Sequence, residues 1–112
     1  MKIDRELLEL AAKAAGIVLP SWHESANAFY VPTHSLQTVW WNPLTDDGDA
    51  FRLQVQLDIH LAFFSKVVLA GVGGSMIPSV EEPIGENKIA ATRRAIVRAA
   101  AAMQEANEQS VR

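Results

Sequence analysis

Between Thr45 and Phe64 two local signals pull the chain toward different structures, and their resolution constrains the fold more than any other feature. From Phe51 to Leu61 the pattern alternates without a break. Phe51, Leu53, Val55, Leu57, Ile59 and Leu61 are apolar, with Arg52, Gln54, Gln56, Asp58 and His60 between them. A period of two marks a half-buried strand. The preceding Thr45-Asp46-Asp47-Gly48-Asp49 argues for a helix start. A short oxygen-bearing side chain followed by carboxylates satisfies the free N–H groups of a first helical turn and complements its dipole. The cap outweighs the alternation and predicts a helix over about residues 46–57, then a strand over 58–64. One long strand over 51–61 is the alternative. In the helical reading Ala50, Leu53 and Leu57 line one face, with Phe51 and Val55 beside them.

The remaining elements fall around that segment. Leu7, Leu8, Ala11, Ala12 and Ala15 make an apolar stripe at helical spacing, so residues 4–15 predict a helix with Asp4 as N-cap and Gly16 as its stop. Three short apolar runs follow: Ile17-Val18-Leu19, Ala28-Phe29-Tyr30-Val31 and Thr38-Val39-Trp40-Trp41. Pro20, Pro32 and Asn42-Pro43 close them, and Ser, His and Asn fill the gaps, which predicts a meander of two or three antiparallel strands. Phe63 to Val68 reads as a tight hairpin, with Val67 to Val72 returning. Residues 75–87, with two prolines and three glutamates, read as a loop. Residues 88–106 predict an alanine-rich helix capped by Asn87, with Ile89, Ile96, Ala100 and Met103 on its core stripe, and 107–112 a frayed end. No repeat or linker divides the chain. The expectation is one α+β domain over 1–112: a small antiparallel sheet packed by N-terminal, middle and C-terminal helices, in the order α-β-β-α-β-β-α.

Composition removes several function classes. There is no cysteine, so disulfide frameworks, thiolate metal sites and cysteine nucleophiles are out. The net charge of −3 supplies no global basic field for nucleic acid or anionic lipid. The longest apolar stretch, Leu61 to Val72, is broken by Ser65 and Lys66 and is too short to span a bilayer. The acidic, amphipathic N-terminus is unlike a signal peptide.

Five features invite a functional reading. Asp46, Asp47 and Asp49, after Asn42, are clustered carboxylates of the kind that hold divalent cations. They lack the bidentate glutamate of a calcium loop, and the turn-plus-cap reading is the stronger one. Trp40 and Trp41, with Trp22, Phe29 and Tyr30 nearby, offer aromatic contact to a partner. Adjacent strand residues point to opposite faces, so only one of the two tryptophans reaches the core directly. Arg93, Arg94 and Arg98, with Lys88, form the one basic cluster. It can grip phosphate or an acidic surface, or simply pair with Glu81, Glu82 or Glu86. His23, His34 and His60 are scattered and match no catalytic or ligand spacing. Gly71-Val72-Gly73-Gly74-Ser75 follows a strand as phosphate loops do, but lacks their lysine and the helix directly after.

The segments Trp41-Asn42-Pro43-Leu44-Thr45-Asp46-Asp47-Gly48-Asp49-Ala50, Ala90 to Ala100 and Leu7 to Gly16 resemble blocks of small uncharacterised bacteriophage and prophage proteins. The arrangement is similar to the phage NinX-like family, with its Asn-Pro turn before a helix, a hairpin, and a closing helix with an Arg-Ala-Ala pattern. The resemblance implies a phage accessory protein in the cytoplasm of an infected or lysogenic bacterium, and no chemistry. The resulting expectation is a non-enzymatic module without cofactor or metal. It binds a host or phage protein and possesses edges suited to a homo-oligomer. Binding of nucleic acid through the basic helix and exposed aromatics is the second reading, and a small metal-dependent hydrolase built on Asp46, Asp47, Asp49 and a histidine the third.

Overall fold

The computed structural model describes residues 2–17, 21–32, 38–72 and 79–110. The elements are α1 (Asp4–Ala14), β1 (Ser21–His23), β2 (Ala28–Pro32), β3 (Thr38–Trp41), α2 (Asp47–Gln56), β4 (Ile59–Phe63), β5 (Val67–Val72), β6 (Ser79–Pro83) and α3 (Lys88–Ser110). The α+β class and the three helices are as expected. The single small sheet is corrected to two three-stranded antiparallel sheets, β1-β2-β3 and β4-β5-β6. The added strands are Ser21–His23 and Ser79–Pro83, both inside segments read as turn or loop. Ser79–Pro83 pairs through its backbone along β5, and its polar composition is tolerated because only Val80 is buried. The expected strand at 17–19 and the glycine segment 73–75 fall largely outside the described residues.

The conflict at 45–64 resolves as a helix followed by a strand, with Asp46 as N-cap of α2. Its carboxylate accepts the Asp49 N–H at 2.8 Å. Asp58, with φ +55°, turns the chain from α2 into β4. An alternating pattern wound into a helix distributes its apolar residues around the axis. Ala50 and Leu53 are buried, whereas Phe51 and Val55 are each 63% exposed and lie away from the core, a correction to their expected place beside it.

α1 ends in a Schellman arrangement. Ile17 N–H donates to the Ala12 carbonyl, Gly16 N–H donates to Lys13, and Gly16 takes φ +75°. At its start the cap position belongs to Ile3, not Asp4. The Glu6 carboxylate accepts the Ile3 N–H, and Asp4 pairs with Arg94 at 3.0 Å.

α3 organises the core, packing against α1, α2 and all three strands of the second sheet. Its buried alanines (Ala91, Ala95, Ala99, Ala100 and Ala101) let neighbouring elements approach closely, with Ile96 and Val97 filling the space between. Leu7, Leu8, Ala11 and Ala12 of α1 meet this surface. Asn87 caps α3 through the Ala90 N–H, as expected. Ile89, expected in the core stripe, is 61% exposed because the first turn precedes the packed stretch, and Met103 is only half-buried. The helix does not fray at 107: it continues to Ser110, supported by Lys2–Glu105 at 2.6 Å and Gln104–Glu108 at 3.0 Å. Residues 111 and 112 lie outside the described residues.

Candidate functional site

The first sheet separates its side chains cleanly. Ser21↔Tyr30, Trp22↔Phe29 and His23↔Ala28 pair across β1 and β2, while Phe29↔Trp41 and Tyr30↔Trp40 pair across β2 and β3. Directly opposed residues share a face. Phe29, Val31 and Trp41 are buried in the core with Trp22 half-buried beside them, its ring 5.1 Å from Phe29. The opposite face carries His23, Tyr30 and Trp40. Trp41 is thus the core tryptophan and Trp40, 49% exposed, the outward one.

The three outward rings form one cluster. Tyr30 and Trp40 centroids lie 4.6 Å apart, His23 and Trp40 5.2 Å, and His23 and Tyr30 5.7 Å, all edge to face. No described residue accepts a hydrogen bond from the Tyr30 hydroxyl or the Trp40 indole N–H. Beyond Trp40 a cleft of about 730 Å³ opens, walled by the approach to α2 (Thr45 and the cap residue Asp46) and its first turns (Asp49 and Arg52).

The Asn42–Asp49 segment, which forms that wall, is a junction with its polar groups already engaged. Asn42 is 8% exposed; its Nδ2 donates to the Asn27 carbonyl at 2.7 Å and its Oδ1 accepts the Leu44 N–H at 2.9 Å. The side chain therefore fastens the β1–β2 turn to the approach of α2. Asp49 is buried, and its two oxygens accept the Asn42 N–H at 2.9 Å and the Arg52 guanidinium at 2.7 Å. Asp46 caps α2, and Asp47 pairs with Arg93 at 2.6 Å. Asp46 and Asp49 share Arg52, at 3.9 and 2.7 Å, while Asp47 turns to Arg93. Among the described residues no group of three His, Asp or Glu side chains is placed to share a metal ion.

The basic cluster is similarly engaged. Arg93 donates to the Leu44 carbonyl as well as to Asp47, Arg94 pairs with Asp4, and Arg98 donates to Glu82 and to the Glu81 carbonyl. Each arginine ties α3 to a different neighbour: the approach to α2, α1 and β6. His60 stands apart, 3.4 Å from Asp58, and His34 lies outside the described residues.

Of the residues singled out in the sequence, the fold brings Trp40, Asn42, Asp46 and Asp49 to one cleft and sends Trp41 to the core. Arg93 and Asp47 lie on the α2–α3 junction, Arg94 and Arg98 elsewhere on α3. Arg52 and Asn27 went unread. Arg52 looked like one more polar position in an alternating run, and only the helical winding sets it three residues from Asp49 on a shared side. Asn27 contributes through its carbonyl, which no side-chain pattern announces.

No protein-family model, curated protein or solved structure matches this chain.

Proposed function

We propose that this chain is a non-enzymatic protein-binding module that docks a partner on the His23–Tyr30–Trp40 face. The observation that carries this reading is the outward aromatic trio itself. Two of its rings keep hydrogen-bond donors with no acceptor among the described residues, beside a cleft, on a sheet whose other face already fills the core. Tyrosine and tryptophan dominate binding energy at protein interfaces because they bury large areas with few rotamers to lose. The arginines of α3 are tied into the fold, which gives phosphate contact less support than aromatic contact. The likeness to phage and prophage blocks supports a phage accessory role in the cytoplasm of the host, with a host or phage protein as partner.

The test is an affinity capture of the tagged chain from nuclease-treated host lysate with and without phage proteins, repeated with Trp40→Ala and Arg94→Ala. A stoichiometric partner lost with Trp40→Ala and kept with Arg94→Ala is the expected result. A partner that survives Trp40→Ala removes this face from the interaction. A second copy of the chain is the competing occupant, and sedimentation of wild type against Trp40→Ala separates the two.

A further inference from the structure

The aromatic face is selective in what it offers a partner. It presents π surfaces with polar edges, of which the Tyr30 O–H and the Trp40 Nε1–H are donors with no acceptor among the described residues. The complementary ligand is apolar, ring-bearing and rich in carbonyl acceptors. A proline-rich segment in the polyproline II conformation has this chemistry. Its rings pack on aromatic faces, its tertiary amides accept and cannot donate, and its backbone carbonyls point outward unpaired. It is also stiff before binding, so little conformational entropy is lost on docking.

The cleft beside Trp40 adds a charge preference. Two carboxylates line it, Asp46 and Asp49, against the single guanidinium of Arg52, which is already held by Asp49 at 2.7 Å. The Asp46 side chain is 59% exposed and stands 3.9 Å from Arg52. The uncompensated charge at this wall is negative. It favours a basic residue flanking the ring-bound proline. A single-stranded nucleic acid would stack on the same rings but would bring its phosphates toward Asp46, with no unengaged cation on the wall to receive them.

We infer that the His23–Tyr30–Trp40 face and its adjoining cleft recognise a proline-rich extended segment of a partner protein, with a flanking basic residue seated at Asp46. This rests on the protein-binding reading above and narrows it.

The experiment follows the three tryptophan indole N–H signals by NMR, with Trp40 assigned through Trp40→Phe. The probes are a synthetic peptide of two PPLPPR repeats, a control of two SGLSGR repeats, and a thymidine oligonucleotide of similar length. The expected result is a saturable shift of the Trp40 signal with the proline peptide alone. Trp40→Ala weakens binding by at least about tenfold, and Tyr30→Phe, which deletes only the hydroxyl, by about two- to tenfold. Asp46→Asn keeps the helix cap and reduces the preference for PPLPPR over PPLPPQ repeats. A Trp40 signal unmoved by the proline peptide up to about millimolar concentration, or moved equally by the SGLSGR control, overturns the inference, and a response confined to the oligonucleotide overturns it in favour of nucleic acid. If the lysate partner depends on Trp40 while the proline peptide does nothing, the docking face stands and its proline specificity falls. If the partner does not depend on Trp40, both fall.

Discussion

The polar junction at Asn42–Arg52 and the aromatic face at His23, Tyr30 and Trp40 meet at one cleft, which Trp40 lines opposite the junction, and use their polar atoms in opposite ways. In the junction, both Asp49 oxygens and both ends of the Asn42 amide have partners inside the chain. On the aromatic face two good donors have none among the described residues. The junction is the more conspicuous sequence motif and the aromatic face the quieter one. Conspicuous polar motifs in small domains are often the ones that must satisfy buried backbone, because an unpaired buried group is expensive. Function is better sought where exposed side chains are not spent on holding the fold together.

That contrast breaks if the junction can be removed cheaply. Asp49→Ala leaves the buried Asn42 N–H without its acceptor and takes one carboxylate from the exposed Arg52 guanidinium. The expected cost is about 2–3 kcal/mol, read as a fall in melting temperature of about 10 °C. Asp49→Asn keeps one acceptor for the Asn42 N–H and should lose less. A melting temperature within 2 °C of wild type, on the scale of a surface change of about 0.5 kcal/mol, would mean the junction is not structural and would reopen it as a binding site.

Asp46→Ala comes next. It deletes the side chain that caps α2 while leaving Asp49 in place. Loss of such a cap costs about 1 kcal/mol, and Asp46→Asn should restore most of it. Thermal melts of the two variants side by side separate capping from charge.

On the aromatic side, Trp40→Ala should cost about 1 kcal/mol, the scale of its half-exposed edge contacts with Tyr30 and His23, and yet lose the partner. A large stability loss would show that Trp40 supports the sheet, and would shift the comparison toward two structural regions.

Much of the architecture was legible. The cap at Asp46, the Schellman stop at Gly16 and the Asn87 cap act within one turn of chain, so sequence displays them directly. β1 and β6 were missed because three and five residues of polar composition become strands only by pairing with a neighbour already in place. The candidate site was half legible. Opposite pointing of Trp40 and Trp41 follows from strand geometry, but which one is outward depends on which face of the meander meets α1 and α3. The arginines looked alike in sequence; only tertiary contact reveals that each has its own acidic partner.

The smallest expected effect tests another exposed apolar surface. Phe51 and Val55 are one helical turn apart on α2, on the side away from buried Ala50 and Leu53. They are apolar without donors, the reverse of the Tyr30–Trp40 pair. Phe51→Lys with Val55→Gln should change stability by no more than about 0.5 kcal/mol, since neither side chain is covered within the chain, and should leave Trp40-dependent binding intact. Sedimentation is the deciding readout. If the double variant lowers both the melting temperature and the sedimentation coefficient, this face is covered in solution by a second copy, and the alternating pattern from Phe51 to Leu61 then serves two interfaces of one helix. If neither moves, the outward apolar residues are a by-product of winding a strand-like pattern into a helix, and the aromatic face remains the surface on which a partner is recognised.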